Sequence, residues 1–216
     1  MYIPSAFRVE DAAKLIAFIQ RYNFATLVTC DGAAPFASHL PMLFYPGAGC
    51  HGALVSHMAR ANPQWQHFAS GREVLVVFQG PHSYISPSWY KTEPAVPTWN
   101  YVAVHACGIP KILDQPERVL SILHDTILVH ESSFKRPWPG ALPNEYRDKM
   151  IQNIVAFEIS LTRIEGKFKL GQNRSAADLK GVFDALSSSD EAEHQALAKI
   201  MAAECDICKD ASREIC

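Results

Sequence analysis

The sequence predicts an α+β chain with a mostly β core: an antiparallel barrel or strongly coiled sheet with peripheral N-terminal and C-terminal helices. Three observations carry this. Strand-like segments rich in β-branched and aromatic residues, about seven of them, recur at short spacing between residues 24 and 161. Helical periodicity opens the chain and dominates its last third. The alternation of strand and helix that builds a parallel sheet is missing.

Residues 11–22 predict the first helix, with Ala12, Leu15, Ile16, Ile19 and Tyr22 as its apolar stripe, Asp11 at its start and Asn23 after it. Phe18 lies off that stripe, which implies a second contact face. FATLVTC (24–30) is a strand, Asp31-Gly32 signals a hairpin, and PFASHLPMLFY (35–45) returns. Pro35 and Pro41 make the returning strand an edge or a partly paired one, because proline has no N–H for a ladder. After a loop at 47–52, ALVSH (53–57) is a third strand. Asn62 as cap and Pro63 at the first position open a short helix. REVLVVF (72–78) reads as a strand buried on both faces. Residues 79–98, with Pro81, Pro87, Pro94 and Pro97, read as a long irregular loop, a kind that is usually functional or disordered in compact domains.

Strands resume at 100–108 and 109–113. A helix follows Pro116, with Val119, Leu120, Leu123 and Ile127 on one face. Residues 132–148, punctuated by Pro137, Pro139 and Pro143, read as loop. IVAFEISL (154–161) alternates, with Val155, Phe157, Ile159 and Leu161 on one side. Ser175 and Asp178 form a capping box ahead of Leu179, Val182, Phe183 and Leu186. SSSD (187–190) separates that helix from a last one through Leu197, Ile200 and Met201.

The chain has 216 residues, and its 20 basic against 22 acidic side chains leave a net charge of −2. At this length folding buries roughly 70% of the unfolded surface, so no disulfide or metal staple is needed. The composition excludes a disordered chain and a strongly basic nucleic-acid module. No apolar run approaches the ~20 residues of a membrane span, and MYIPSAFRVED lacks a signal-peptide pattern, so the expected location is cytoplasmic. Cys30, Cys50 and Cys107 read as small buried hydrophobes. Cys205 and Cys208 have metal spacing, but apart from Cys216 the tail offers no further ligand, and no metal site is expected.

Four segments place polar groups where chemistry could sit. SHLP (38–41) carries Ser38 and His39, for which a satisfied core histidine is the plainer reading. In SHMARANPQW (56–65), Arg60 and Asn62 precede a helix start, where oriented N–H groups and a guanidinium suit an anion. GPHSYISPSWY and VPTWNY (80–101) gather Tyr84, Trp89, Tyr90, Trp99 and Tyr101 around Ser86 and Asn100, which suits a flat, partly polar ring. KLGQNRS (169–175) brings Lys169, Gln172, Asn173 and Arg174 ahead of a capped helix. Together they describe a site for a flat, phosphorylated ligand. No dinucleotide-binding glycine motif, phosphate loop, zinc-protease motif or nucleophile elbow occurs, and no catalytic residue is assigned.

These motifs, in this order from MYIPSAF to KLGQNRS followed by Gly181-Val182, resemble the FMN-binding negative transcriptional regulators of the PaiB type over most of the chain. The resemblance implies an FMN-binding split β-barrel over 1–170 and a C-terminal helical extension over 171–204 packed on it. Residues 205–216 match nothing in that family and read as a frayed tail. It further implies a homodimer with FMN at the subunit interface. Ser38, His39, Arg60, Asn62, Ser86, Trp99, Asn100, Lys169, Gln172, Asn173 and Arg174 would lie around the flavin, with Arg60 and Arg174 on the phosphate by their charge. The implied function is a flavin-dependent regulator or sensor. An NAD(P)H-dependent flavin oxidoreductase is the alternative, since the flavin itself would carry the chemistry. A haem-binding or haem-degrading split barrel, with His57, His82 or His105 as iron ligand, is more remote. Direct DNA binding fits poorly: residues 174–203 carry three basic against five acidic side chains, the wrong sign for a helix facing phosphates.

Overall fold

A computed structural model describes residues 1–32, 34–47 and 49–205. The expectations placed on Cys208, Cys216 and most of the tail lie outside the described residues. Cys205, at the end of the last helix, is buried.

In chain order the elements are β1 (Arg8–Val9), α1 (Ala12–Arg21), β2 (Phe24–Thr29), β3 (Phe36–Pro41), β4 (Leu43–Tyr45), β5 (Ala53–Ala59) and β6 (Val74–Ile85). There follow β7 (Thr98–Leu113), α2 (Pro116–Glu131), α3 (Asn144–Ile151), β8 (Ile154–Lys169), α4 (Ala176–Ser187) and α5 (Ala192–Glu204). Short 3-10 helices occupy Ser5–Phe7, Pro63–Ser70 and Pro87–Trp89. The strands pair in the order β3-β2-β6-β7-β8-β5-β4, with β1 also on β8. This is the expected class: a mostly antiparallel sheet with helices first and last. Among the described residues the pairing path runs from β3 to β4 without closing into a ring.

The chain divides into two compact units. One holds Ile16–Phe78 and His105–Ile164. In it β2 pairs antiparallel with β3, setting Leu27 opposite Ser38 and Thr26 opposite His39, and with β6, setting Leu27 opposite Val76. β5 pairs with β4 and with β8, where Ser56 faces Phe157. The side chains that alternate inward are fully buried: Leu27 on β2, Val76 and Phe78 on β6, Phe157 and Ile159 on β8. Burial at this density is the dominant favourable term in folding. β3 ends the strand order, as Pro41 demands, and the Met42 N–H leaves the ladder for the Asn23 carbonyl at 2.8 Å. That departure splits the expected single strand into β3 and β4.

The other unit holds Met1–Leu15, Gln79–Val104 and the chain from Glu165 onward. β1 pairs with β8 through Arg8 opposite Lys167 and Val9 opposite Gly166. α4 packs on α5 and on the 3-10 turn Pro87–Trp89. Val182, Leu186, Leu197 and Met201 are the large apolar side chains that the two helices bury.

Several expectations are corrected. β6 does not stop at Phe78; its alternating burial runs to Gly80, shifts by one residue at Pro81 and resumes at Ser83 and Ile85, so the irregular loop shrinks to 86–97. Leu75 and Val77 are half-buried, so this strand covers one face fully and the other in part. Residues 100–108 and 109–113 are one strand, β7, that tolerates Pro110. Part of the expected loop at 132–148 is helical: α3 has no buried residue, hence no apolar stripe for a period to reveal. Phe18 off the stripe of α1 is buried, as the second contact face expected of that helix requires. Cys107 is buried as expected, but Cys30 and Cys50 are exposed, because both lie outside the strands, Cys30 just past β2 and Cys50 in the turn before β5.

Candidate functional site

The expected site residues fall into two groups, one in each unit. In the first, Asn62 works in two directions. Its Oδ1 accepts from the Gln64 N–H at 3.0 Å and caps the 3-10 helix, while its Nδ2 donates to Ser38 Oγ at 2.8 Å. The cap thus ties the start of the helix to edge strand β3. His39 is exposed rather than a core histidine, since its position on β3 turns outward; its Nδ1 lies 3.0 Å from Thr26 Oγ1. Arg60 donates from Nε to the Gln152 carbonyl at 2.7 Å and from Nη2 to the Ile154 carbonyl at 2.8 Å. Its own carbonyl accepts from Trp65 Nε1 at 3.0 Å. A guanidinium has five N–H donors, so Arg60 still holds three for an anion.

Beneath Asn62, fully buried Gln64 uses its amide nitrogen on the Leu27 carbonyl, the Thr29 hydroxyl and the Phe36 carbonyl, at 3.0, 3.2 and 3.1 Å. Its Oε1 has no partner among the described residues. Three acceptors around the nitrogen fix the amide orientation, so the orphan is the oxygen. Thr29 in turn bonds His67 Nδ1 at 2.8 Å. No sequence signal pointed to Gln64, whose role depends on which loops lie around it.

The second group surrounds Lys169. Its ammonium donates to the Thr98 hydroxyl and, at 2.8 Å, to the Trp99 carbonyl. Burial pushes its pKa below the ordinary lysine range, and the nearby charges of Lys167 and Arg174 push the same way. Lys167 is buried, with its ammonium 5.4 Å from the Tyr2 ring and 5.2 Å from the Tyr101 ring. The Arg174 guanidinium stands 4.4 Å from the Tyr90 ring centroid. None of these three cations pairs with a carboxylate among the described residues. Lys167 belongs to this cation cluster without standing out in the sequence, although two-residue spacing places it on the same face of β8 as Lys169.

Trp99 is 52% exposed, with its ring 6.3 Å from Tyr84, edge to face, and 6.0 Å from His82. Asn100 is buried, and a Cβ on Gly171 would stand 3.8 Å from its side-chain nitrogen. Gly171 has φ +89°, so the turn that bends the chain from β8 towards α4 requires glycine. Gln172 closes this turn by accepting from the Leu170 N–H at 2.8 Å and donating to the Phe168 carbonyl. Asn173 is exposed, and Ser86 caps the turn Pro87–Trp89 by accepting from the Ser88 N–H at 3.2 Å. Gly181 is the second essential glycine: a Cβ there would collide with the Trp89 carbonyl oxygen. Asp178, also buried, accepts from the Lys91 and Thr92 N–H groups at 2.8 and 2.9 Å and secures that part of the 86–97 loop.

FMN offers a phosphate dianion, a planar ring and a rim of polar atoms, and the donor set present fits each. Lys169 and Arg174 supply unmatched positive charge, Trp99 and Tyr84 supply exposed aromatic faces, and Asn and Ser side chains supply neutral donors. Of the histidines considered as iron ligands, His82 is paired with Glu193 at 3.1 Å, and burial pushes His57 below the ordinary histidine range. Among the described residues no group of three His, Cys, Asp or Glu is placed to hold a metal ion. No described helix is long and apolar enough to cross a membrane.

Comparison with known proteins agrees with this chemistry. The "Putative FMN-binding domain" family matches residues 1–163, and Lys169–Arg174 lie just beyond that match. The chain is 36% identical over 204 residues to "Protease synthase and sporulation protein PAI 2" of Bacillus subtilis (strain 168), covering 93% of this chain and 96% of that one. Among solved structures, the flavocytochrome Anf3 from Azotobacter vinelandii is similar at a TM-score of 0.56 and 12% identity, over 76% of this chain and 70% of that one. The FAD and heme binding protein from Mycobacterium smegmatis is similar at 0.55 and 14% identity, over 76% and 74%. At such low identity the two structures show a shared fold, the split-barrel class, and nothing about ligand. The chain belongs to the FMN-binding family of PaiB-type proteins, and FMN is its cofactor.

Proposed function

We propose that the protein is a homodimer with FMN at the subunit interface, acting as a flavin-dependent regulator or sensor. The observation that carries the reading is the charge around Lys169: three cations gathered with no carboxylate to match them, next to the half-exposed indole of Trp99. Such a cluster is costly unless an anion completes it. Lys169 and Arg174 would hold the phosphate, with Arg60 as a further phosphate contact. Trp99 would stack on the ring, and Ser38, His39, Asn62, Ser86, Asn100, Gln172 and Asn173 would supply hydrogen bonds. When bound, FMN supplies reversible hydride and electron acceptance. The side chains bind it, orient it and set the charge around it.

The regulatory half of the reading is supported by the Bacillus relative, whose name ties that protein to protease synthesis and sporulation. Contact with DNA through α4 and α5 is not part of it. Lys180 is already paired with Asp184 at 2.8 Å, and the segment stays net acidic.

The test compares FMN with riboflavin, which lacks the phosphate. A charge-assisted phosphate contact contributes about 1.5–3 kcal/mol, so riboflavin should bind at least ~10-fold more weakly. Equal affinities would overturn the phosphate assignment. Mixing the FMN-loaded protein with NADH or NADPH under nitrogen addresses the role. Absorbance that persists for hours supports the regulator, and rapid bleaching would replace it with an oxidoreductase.

A further inference from the structure

We infer that the cavity between α1, β4 and α2 is a second ligand site, taking a small organic ammonium ion that carries an apolar chain. The cavity, ≈ 380 Å³, lies within a single unit and contains none of the residues assigned to the flavin. Its volume is in the range of small-molecule pockets, about 300–1,000 Å³.

One carboxylate dominates its chemistry. The Tyr45 hydroxyl donates to Asp125 Oδ2, and the tyrosine is itself fixed from several sides. Its ring packs against the buried cluster of Leu43, Val55 and Ile122, and the Arg118 guanidinium stands 5.1 Å from the ring centroid. Arg118 is matched by Glu158 at 3.4 Å, so its charge does not cancel that of Asp125. Burial first, and the hydrogen bond to Asp125 second, push the Tyr45 phenol up to about 12, so it remains a donor throughout the physiological range. Asp125 is thereby held in one orientation. Its Oδ1 accepts no hydrogen bond among the described residues. The imidazole near it is that of His124, at 3.7 Å, beyond hydrogen-bonding distance and with a side chain 69% exposed.

The rest of the lining selects the ligand. Met42 forms a fully buried floor, Phe44 adds an aromatic wall, and Leu128 and Val129 are exposed apolar side chains at the rim. Gln20 and Asn23 add neutral polar groups. An anion would meet the Asp125 charge, and a neutral apolar molecule would desolvate that carboxylate without pairing it. An alkylammonium satisfies both halves: its N–H groups reach Oδ1, and its chain covers the rim.

The experiment is calorimetric titration of the full chain with n-hexylammonium chloride, with sodium hexanoate and 1-hexanol as matched probes. The ammonium should bind saturably and at least ~10-fold more tightly than either control, as a charge-assisted contact requires. Asp125→Asn should lose about the same factor, and Leu128→Ala should weaken binding by a smaller one. Tyr45→Phe frees the second carboxylate oxygen while keeping the ring, so binding should persist; this arm decides the matter if Asp125→Asn melts early. FMN affinity should be unchanged in all three variants, which separates this site from the flavin reading. No saturable heat, equal binding of hexanol, tighter binding of hexanoate, or an undiminished Asp125→Asn would each overturn the inference.

Discussion

At Asp178 the expected capping box is half built. Ser175 Oγ accepts from the Asp178 N–H at 3.1 Å, but the carboxylate turns to the 91–92 amides instead of back to its own helix. Burial alone would push this carboxyl up; the N–H groups of Thr92 and Lys91, with the Thr92 and Ser175 side chains, more than reverse that and hold it below the ordinary aspartate range. A depressed folded value means the stabilisation is complete above the unfolded pKa, about 3.9, and is lost as pH falls through the folded one. Thermal melts between about pH 3 and 7 should therefore show a shallower acid-side fall for Asp178→Asn, with a lower Tm at pH 7. For Lys169 the sign is opposite. Its lowered value is set by burial and by Lys167 and Arg174, so its protonated form, which an anion prefers, is already lost at a pH below the ordinary lysine value. The stabilisation by saturating FMN should shrink as pH rises through that lowered value, and Lys169→Gln should abolish the dependence. The two arginines also separate. Arg174→Ala should cost at least ~10-fold in FMN affinity with little loss of stability. Arg60→Ala should do both, because it also abandons the Gln152 and Ile154 carbonyls. Titration and melting of the two variants check this.

Among the elements, α4 depends on Gly181, where its close approach to Trp89 leaves no room for a methyl. Gly181→Ala should destabilise by about 1–3 kcal/mol, read as a Tm drop of roughly 2–4 °C per kcal/mol in a chain of this size. Asn62→Ala removes both a cap and the bond to Ser38 and should cost about 1–2 kcal/mol, whereas Ser38→Ala should cost less. Legibility also varies element by element. α1, α2 and α4 announce themselves through an apolar face and a cap or a first-turn proline. The strands of periodic burial, β2 and the first half of β8, are equally plain. β6 beyond Phe78 was hidden because Pro81 and neighbouring Gly80 are loop signals locally, while burial at Ser83 and Ile85 is decided by what packs there. α3 was hidden for the converse reason, since an exposed helix has no pattern to betray it.

For the molecule as a whole, the near-balanced charge predicts no DNA retardation in a gel-shift at low salt. A shift with a steep salt slope would contradict the acidic balance of 174–203. The candidate site residues stand out as clusters because short motifs bring several donors together along the chain. Ser38 with Asn62 and Lys169 with Trp99 show where that legibility ends: each partner stands in a different motif, and only strand register and loop course join them. Lys167 does not stand out because a buried cation between two phenols looks, in sequence, like any strand lysine.

The bond from Asn62 to Ser38 bears on how the protein ages. Asparagine deamidates when the backbone nitrogen of the next residue attacks the side-chain amide, and at this position the next residue is Pro63, whose nitrogen carries no hydrogen. The latch on β3 is therefore shielded from that slow chemistry. Exposed Asn173, followed by Arg174, has no such shield. In long-stored protein the first conversion of amide to carboxylate near the cation cluster is expected at Asn173, where peptide mapping would find it, and where the added negative charge would begin to imitate the phosphate.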